Sequence, residues 1–555
     1  MSNETKKRLG RAAAMLALAT AGSRVLGLVR EIVMVSFLGL GAEMGAFTVA
    51  MKVPNLVRTL LADTALSAAF IPVFSGLLEK GRERDAWQVA FTVAVVAASA
   101  LGVVTALGMV FSPEVVKVVA PGWTSKFPET VGLTVSLMRI MFPTVVIMGI
   151  AGIFMGILNS YNHFAMPAIA PIVWNIIIIG VVALFSGRYG FHALAWGVML
   201  GTLAELLLQV PSVWKRRWRH QAVLGSEGAP GARAETLRTS PWRLALRSAE
   251  VRQVGVLLGP VILTLGIINF NSFIDTIVAA LLGEAAPAYI DKAFRLFQLP
   301  QGMFAIAIGT VLFPALSRHG AAGRMAEFRQ DLSLGIRQIF FVTLPFAAFF
   351  SVLSVPTIRL IYEHGQAYGD QVAISGTASA LFFFSVGMAF VSVNTLLNRA
   401  FYSIRKTWVP LAMGAVNLAL NAALDLLLYK PLGVGGITLS TSVVSLVNFF
   451  GLILLLSPRV GGVDGRRVAW SAVRAVIALI PLAGVAYGVW WGVDALLGRA
   501  LWAQILSVGA AYVAGGAAYC LAAWAMRMPE LRDVLSVIRT RREARTPEGV
   551  SDLEG

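Results

Sequence analysis

Long apolar runs recur along almost the whole chain, and short polar connections separate them. Each run has about 18 residues or more, enough for a helix to cross about 30 Å of hydrocarbon. Segments that span lipid must satisfy their own backbone hydrogen bonds, so these runs predict transmembrane helices. We expect about fourteen of them, at 13–39, 45–79, 87–111, 131–158, 164–186, 190–213, 253–282, 289–316, 331–353, 376–401, 407–428, 436–457, 468–493 and 500–526.

The second run, 45–79, is the least regular because polar residues and a proline interrupt it. Pro54 has no backbone N–H to donate within a helix, and the neighbouring Asn55 side chain competes for backbone hydrogen bonds. Arg58 follows one turn later. We therefore expect a broken or bent helix in this segment.

Composition agrees with a membrane protein, since 57% of residues are hydrophobic, 14% are charged and the mean hydropathy is +0.75. The N-terminal run lacks a convincing cleavage site, so we expect a retained first crossing. Lysines and arginines concentrate in alternate connections, which predicts cytoplasmic termini and accounts for most of the net charge of +17. No nucleic-acid partner is expected, because topology already explains the basic clusters. Trp123, Trp490 and Trp491 are expected to anchor the membrane interface.

Motifs for metal, nucleotide or nucleophile chemistry are missing from the sequence. The chain has one cysteine, Cys520, and five histidines without an HExxH pair. It contains no Walker loop and no GxSxG elbow. We therefore predict a protein that is not an enzyme and has no organic cofactor.

Short motifs repeat in the same order in the two halves. FIPVFS (70–75) is echoed by LFPALS (312–317), and ILNS around Asn159 is echoed by LLNR around Asn398. The spacing of about 240 residues predicts six spans followed by six more, with two left over. Parallel repeats of this kind build transporters in which two helix bundles rock about a central cavity.

Three stretches carry a family resemblance: SRVLGLVRE at 23–31, KVPNLVRTLLADTALSAAFIPVFS at 52–75 and KAFRLFQLPQGMFAIAIGTVLFPALS at 292–317. They resemble the MurJ (MviN) lipid II flippases of the multidrug/oligosaccharidyl-lipid/polysaccharide exporter superfamily. The resemblance implies an all-α polytopic fold with two pseudo-symmetric six-helix lobes in a V and two C-terminal helices that form a lipid-tail groove. The corresponding segments are an N-lobe at 1–213, a cytoplasmic loop at 214–252, a C-lobe at 253–458, the groove helices at 459–526 and a cytoplasmic tail at 527–555.

The resemblance also implies a function. Members move lipid II, the undecaprenyl-pyrophosphate-linked peptidoglycan precursor, from the inner to the outer leaflet by alternating access, coupled to the membrane potential or to sodium. The expected location is the bacterial cytoplasmic membrane. The expected partners are lipid II, the phospholipid membrane and other cell-wall synthesis proteins.

Charged residues inside apolar runs give candidates for binding the head group. An intramembrane charge costs several kcal/mol, so a functional role is the default interpretation, with simple pairing or interface anchoring as the alternative. Arginine suits a pyrophosphate because its planar fork donates several hydrogen bonds and stays charged. The candidate set is Arg24, Arg30, Glu31, Asn55, Arg58 and Arg295.

Helical geometry and the resemblance order this set. Arg24 and Glu31 are about 10 Å apart along one helix face, whereas Arg30 is rotated about 240° from Arg24. The resemblance implies that Arg30, Arg58 and Arg295 line the cavity and that Glu31 matters for transport. The chain departs from the family pattern in four places: it has Glu31 where Asp is common, Gly45 and Phe294 where some members have Asp, and Gln298 where some have Glu.

A second polar group lies in the C-terminal half. Asn421 and Asp425 are four residues apart and so share a helix face, and Asp275 and Thr441 lie on other spans. Such hard oxygen ligands suit an alkali cation, although hydrogen bonds between helices explain them equally well. The resemblance implies a sodium ion here, with a further ligand from the backbone carbonyl near Ile437.

Three alternatives to a lipid II flippase are considered. A flippase for another polyprenyl-linked oligosaccharide would share all these features. A drug or cation antiporter of the same superfamily fits less well with fourteen spans and an arginine cluster. A membrane glycan polymerase would need acidic residues in a sizeable outer loop, and the predicted outer loops are short.

Overall fold

The computed structural model describes residues 22–62, 64–161, 163, 165–226 and 248–533. These residues are almost entirely helical and include no strand, which confirms the all-α prediction. The helices of the first half are α1 (22–38), α2 (Ala42–Val57), α3 (Thr64–Glu79), α4 (Glu83–Val110), α5 (Ser112–Val119), α6 (Trp123–Lys126), α7 (Pro128–Met141), α8 (Thr144–Ser160), α9 (Ala165–Tyr189) and α10 (Phe191–Ser226).

The second half continues the same pattern of long helices joined by short turns. Its helices are α11 (Ala249–Leu282), α12 (Ala286–Pro300), α13 (Ile306–Ala321), α14 (Met325–Val352), α15 (Ser354–Tyr362), α16 (Gln371–Ser403), α17 (Trp408–Leu432), α18 (Val434–Val460), α19 (Gly465–Leu497), α20 (Leu501–Ala525) and α21 (529–533).

Each of the fourteen predicted runs coincides with helical structure where it is described. By length and composition, 11 helices of the described residues can cross a membrane. Of the fourteen predicted runs, that set leaves out those at 13–39, 45–79 and 253–282. The chain is thus a polytopic membrane protein, and the count of fourteen crossings stays a prediction.

The expected interruption of the 45–79 run is confirmed. The α-helix that contains Pro54 continues into a π-helical turn, Arg58–Ala62, in which the backbone widens by one residue per turn. A second π-helical turn, Gln301–Ala305, follows Pro300. The two turns lie about 240 residues apart, close to the spacing of the FIPVFS and LFPALS motifs. The internal repeat therefore extends to a local distortion of the backbone.

The chain divides into two compact units, 1–291 with 362–373, and 292–361 with 374–555. In the first unit, α3, α4 and α8 share a core that includes the buried side chains of Phe70, Phe74, Val89 and Ile153. The predicted lobe boundaries at 213 and 253 stay predictions.

The second unit has two cores. One joins α14, α16 and α18 through buried residues such as Phe328, Leu396 and Leu452. The other joins α14 to the C-terminal pair α19 and α20, where the buried Tyr519 hydroxyl donates to the Phe341 carbonyl oxygen at 2.9 Å. The C-terminal pair is thus part of this unit rather than an appendage.

Large apolar side chains face outwards on many helices. Leu184, Ile480 and Trp524 are each more than two-thirds exposed, at 78%, 71% and 73%. Such a surface would be an aggregation liability in water, but it is the expected exterior of a protein that is surrounded by lipid.

Candidate functional site

Arg30 lies on α1 with only 8% of its surface exposed. Its Nη2 donates to Glu31 Oε1 at 2.5 Å, and its Nη1 donates to Asn175 Oδ1 at 3.2 Å. The guanidinium also lies over the Trp174 ring, 4.6 Å from the centroid. Two of the predicted site residues are therefore in contact, and an ion pair offsets the cost of burying either charge alone.

Helix α9 provides the partners of Arg30 that the sequence did not reveal. Asn175 donates its Nδ2 to the Pro171 carbonyl oxygen, which fixes its amide so that Oδ1 faces Arg30. The Trp174 indole N–H donates to Thr202 Oγ1 at 3.3 Å, so α10 in turn holds the ring. Polar side chains within an apolar run are the sequence feature that could have identified these partners, but nothing in the sequence linked them to Arg30.

The remaining candidates of the first unit are half-buried. Arg24 lies one and a half turns before Arg30 on α1. Asn55 and Arg58 lie at the junction of α2 with its π-helical turn, where the Arg58 N–H donates to the Pro54 and Asn55 carbonyl oxygens. The Nε of Arg58 is buried and has no hydrogen-bond partner among the described residues. Arg58 therefore keeps donor capacity for a ligand.

A lysine that sequence reasoning did not assign also belongs to this region. Lys52, on α2, donates its Nζ to Ser272 Oγ on α11 at 2.7 Å. Lys52 opens the stretch that carries the family resemblance, and it is a charge within an apolar run. That signal is the same one that identified Arg58, so Lys52 could have been added to the candidate set.

The structure explains why position 45 carries glycine. A Cβ on Gly45 would lie 1.7 Å from the Glu284 carbonyl oxygen, in the turn between α11 and α12. No side chain fits there without moving the backbone. This arrangement therefore leaves no room for an acidic side chain at position 45.

Arg295, on α12, belongs to the second unit and is exposed. On the same helix Phe294 and Phe297 form an aromatic cluster with Phe384 of α16, with ring centroids 5.2 to 5.9 Å apart. Lys292, near the middle of that helix, is almost fully buried. Position 294, at which the resemblance implies an acid in some members, is thus occupied here by a packed ring.

Four of the five candidate ion ligands lie in the second unit, while Asp275 lies in the first. Asn421 and Asp425 are buried on α17, and Asn421 Nδ2 donates to Asp425 Oδ2 at 3.0 Å. Ile437 is fully buried on α18. The Thr441 hydroxyl oxygen is also buried and has no hydrogen-bond partner among the described residues.

Helices α17 and α18 approach each other very closely beside this group. Only Gly433 joins them, and a Cβ on Gly436 would lie 2.1 Å from the Leu428 carbonyl oxygen. The oxygen-rich donor set and the unsatisfied Thr441 hydroxyl are compatible with a small hard cation.

Comparison with known proteins decides the family. The sequence model described as "Lipid II flippase MurJ" matches residues 34–499, which is most of the chain. The chain belongs to the MurJ family. This family consists of lipid II flippases, which are transporters rather than enzymes.

Curated relatives are similar in sequence to this MurJ-family chain over most of their length. A probable lipid II flippase MurJ from Rhizobium tropici is 32% identical over 482 residues, covering 85% of this chain and 84% of the relative. One from Buchnera aphidicola is 30% identical, with 80% and 82% covered. The lipid II flippase MurJ of Burkholderia cenocepacia is 28% identical over 468 residues.

Solved structures show the same fold. The structure described as "Lipid II flippase MurJ, inward closed conformation" has a TM-score of 0.72 at 21% identity, with 91% of this chain and 98% of that chain covered. A multidrug resistance MATE family transporter of the MOP superfamily, in an inward-facing conformation, has a TM-score of 0.62 at 16% identity. The MurJ-family fold is therefore shared with MOP-superfamily transporters.

Proposed function

We propose that this chain translocates lipid II from the inner to the outer leaflet of the bacterial cytoplasmic membrane by alternating access, with both termini in the cytoplasm. Membership of the MurJ family supports this function. The main structural support is the buried Arg30 on α1, a charged residue within an apolar helix, which contacts Glu31 and the Trp174 ring.

The arginines would act on the pyrophosphate by partner exchange. Glu31 neutralises Arg30 while no substrate is bound, which lowers the cost of holding the guanidinium within the membrane span. A pyrophosphate oxygen could then replace the carboxylate, because it offers the guanidinium the same charge-assisted hydrogen bond. Trp174 and Asn175 would keep the fork oriented during the exchange. We expect Arg58 and Arg295 to add donors, so that charge is neutralised from both halves of the chain.

Coupling to the membrane potential and to sodium forms part of the proposal. An ion bound by Asp275, Asn421, Asp425, Thr441 and the Ile437 carbonyl would favour whichever conformation brings these ligands together. A bound ion biases a conformational equilibrium only through its differential affinity for the two states. The potential adds about 2.3 kcal/mol for each charge moved through 100 mV. The buried Thr441 hydroxyl supports this assignment, because a cation would give it a partner.

The head-group assignment is tested with Arg30→Ala, Arg58→Ala and Arg295→Ala. Each should abolish or severely reduce the arrival of lipid II at the outer leaflet, measured after rapid depletion of the native protein. Lysine at the same positions should restore only part of the activity, because it lacks the planar fork. Arg188→Ala is the matched control, since Arg188 is exposed at the end of α9 and should be dispensable. Wild-type translocation by all three variants at normal abundance would refute the site.

The ion assignment is tested by thermal-shift titration of the purified chain with sodium and with potassium. Sodium should stabilise the native chain more than potassium, and Asp425→Asn should remove the difference while head-group affinity stays nearly unchanged. Asp494→Asn, on α19, is the control for loss of one carboxylate. Identical responses to the two ions, unaltered in Asp425→Asn, would leave hydrogen bonding between helices as the role of these residues.

One alternative remains to be separated from this function. A flippase for another polyprenyl-linked oligosaccharide would fail to sustain lipid II translocation in the depletion assay.

A further inference from the structure

An open surface cavity of about 530 Å³ lies in the second unit, and five of its seven lining residues are exposed. One wall is formed by the first two turns of α14, and the other is the start of α19 with the turn before it. Its lining residues are Ala326, Arg329, Gln330, Asp464, Gly465, Arg466 and Arg467. Nothing in the proposed transport function uses this cavity.

The cavity carries a net positive charge, with three arginines against one carboxylate. Arg329 is fixed in place, because its Nη1 donates to the Gly461 carbonyl oxygen at 2.6 Å and its Nε donates to the Met325 carbonyl oxygen at 3.3 Å. Arg466 and Arg467 are exposed and occupy the first turn of α19, a helix of 33 residues. The positive end of the helix dipole adds to their charge. The cavity is therefore suited to an anion that carries a phosphate-like group.

The surface beside the cavity is suited to lipid rather than to water. Trp470 lies one turn after Arg466 and is 57% exposed, and the Arg474 guanidinium lies 5.1 Å from its ring centroid. Exposed aromatic and basic side chains of this kind mark the membrane interface. Further along the same helix, Ile477 and Ile480 are exposed at 48% and 71%, which provides an apolar track for acyl chains.

The side of the membrane follows from the sequence. The connection between α18 and α19 is one of the arginine-rich connections that predict a cytoplasmic position. The cytoplasmic leaflet carries anionic phospholipids, which are attracted to clusters of basic residues near its surface.

We propose that this cavity binds the head group of an anionic phospholipid of the cytoplasmic leaflet, with its acyl chains along the exposed face of α19. The phosphate contacts Arg329 from α14 together with Arg466 and Arg467 from α19, so one lipid links the C-terminal helices to the rest of the second unit. The site uses none of the candidate head-group arginines, and it stands whether or not the proposed function is correct.

The test measures lipid binding to the full-length purified chain by native mass spectrometry. Phosphatidylglycerol and phosphatidylcholine with the same acyl chains are the probes, and inorganic phosphate is a competitor. The charge variant is Arg329→Gln/Arg466→Gln/Arg467→Gln. Its control removes three positive charges elsewhere on the predicted cytoplasmic side, as Lys80→Gln/Lys215→Gln/Lys406→Gln. A steric variant, Ala326→Trp, fills the cavity without changing its charge.

The native chain should prefer phosphatidylglycerol over phosphatidylcholine, and the charge variant should bind phosphatidylglycerol about a hundredfold more weakly. Ala326→Trp should also weaken binding, whereas the control should bind like the native chain. An equal loss in the control would mean that only general surface charge matters and would overturn the site. So would unchanged binding in Ala326→Trp, which also decides the question if the charge variant fails to fold. Displacement of the lipid by equimolar inorganic phosphate would overturn the lipid as the ligand.

Discussion

Arg30 shows how much a single charged residue depends on distant parts of the chain. The sequence identified Arg30 and Glu31 because charges stand out within an apolar run. It could not identify Asn175, which is 145 residues away, or Trp174 beside it. Contacts between distant helices depend on rotation of each helix about its axis, which the hydropathy pattern leaves open. Whether Arg58 and Arg295 converge on the same ligand stays a prediction for the same reason.

Replacement of Trp174 by leucine tests whether the ring positions Arg30. A cation–π contact with a desolvated guanidinium is worth up to about 2 kcal/mol, so Trp174→Leu should reduce lipid II translocation, though less than Arg30→Ala does. The measurement is outer-leaflet lipid II at matched protein abundance. Trp524→Leu is the control, because Trp524 is 73% exposed and lies on α20, which carries no candidate site residue. Equal activity of Trp174→Leu and the native chain would remove the ring from the site.

Trp123 corrects one expectation at this scale. It was predicted to anchor the membrane interface, but it is 1% exposed and its indole N–H donates to the Ala280 carbonyl oxygen at 2.8 Å. A tryptophan near the end of a span can lie at the membrane interface or be buried in the protein. The sequence does not distinguish the two, because the indole N–H finds a hydrogen-bond partner in either location.

At the scale of elements, the hydropathy pattern predicted the helices well because membrane thickness fixes the length of an apolar run. Pro54 indicated the interruption of the second span, but it did not indicate a π-helical turn. That outcome depends on how the freed backbone groups find partners: here the Arg58 N–H is shared between two carbonyl oxygens. The matching turn at Gln301–Ala305 would have been equally hard to predict.

A buried carboxylate ties the last helices to α14. Glu530 on α21 is 1% exposed, and its Oε1 accepts from Arg337 Nη1 at 2.8 Å and from Ser471 Oγ at 2.9 Å. Glu530→Ala leaves Arg337 uncompensated and should cost about 3–5 kcal/mol of stability. Thermal unfolding of the purified chain should show this as a lower midpoint. The double variant Arg337→Met/Glu530→Met should recover most of the loss, and a double variant as unstable as Glu530→Ala would contradict the pairing.

Another polar cluster joins the predicted cytoplasmic ends of α4, α8 and α11 in the first unit. The Tyr161 hydroxyl donates to Glu83 Oε1 at 2.5 Å. Burial is the main cause of a raised pKa of Tyr161, and this hydrogen bond raises the pKa further. Arg82 Nη2 donates to Glu250 Oε1 at 3.1 Å. Hydrogen bonds from its own backbone amide and from Ser248 lower the pKa of Glu250 below its ordinary value of 4.5, and Arg82 adds to the effect.

The lowered pKa of Glu250 predicts a pH-dependent contribution to stability. A depressed carboxyl pKa stabilises the folded chain above the unfolded value, and this contribution is lost as the pH falls through the folded value. Because both side chains are partly exposed, Glu250→Gln should cost at most about 1 kcal/mol at neutral pH. The difference in unfolding midpoint between Glu250→Gln and the native chain should shrink as the pH falls below 4.5 and disappear once the pH lies below the lowered pKa of the folded state. A difference that persists there would assign the effect to side-chain shape rather than charge.

At the scale of the whole molecule, the internal repeat was visible because short motifs and a backbone distortion recur about 240 residues apart. The sequence did not show which residues make up each of the two compact units. Residues 362–373 belong to the first unit although they lie in sequence between the two segments of the second, 292–361 and 374–555. The assignment of this short segment depends on contacts between residues distant in sequence. The lengths of the helices and loops do not determine those contacts.

Orientation in the membrane is the last prediction, and the structure allows it to be tested across single helices. In a Cys520→Ser background, cysteine replaces Lys80 and Val118, which bracket α4, or Tyr368 and Lys406, which bracket α16. Their 28 and 33 residues are long enough to cross a bilayer, at about 1.5 Å per residue. All four native side chains are exposed, so the thiols should be accessible to a membrane-impermeant reagent. Because lysine and arginine are retained on the cytoplasmic side, positions 80 and 406 should react only from the cytoplasm, and positions 118 and 368 only from outside. Reaction of both members of a pair from the same side would show that the intervening helix does not cross the membrane.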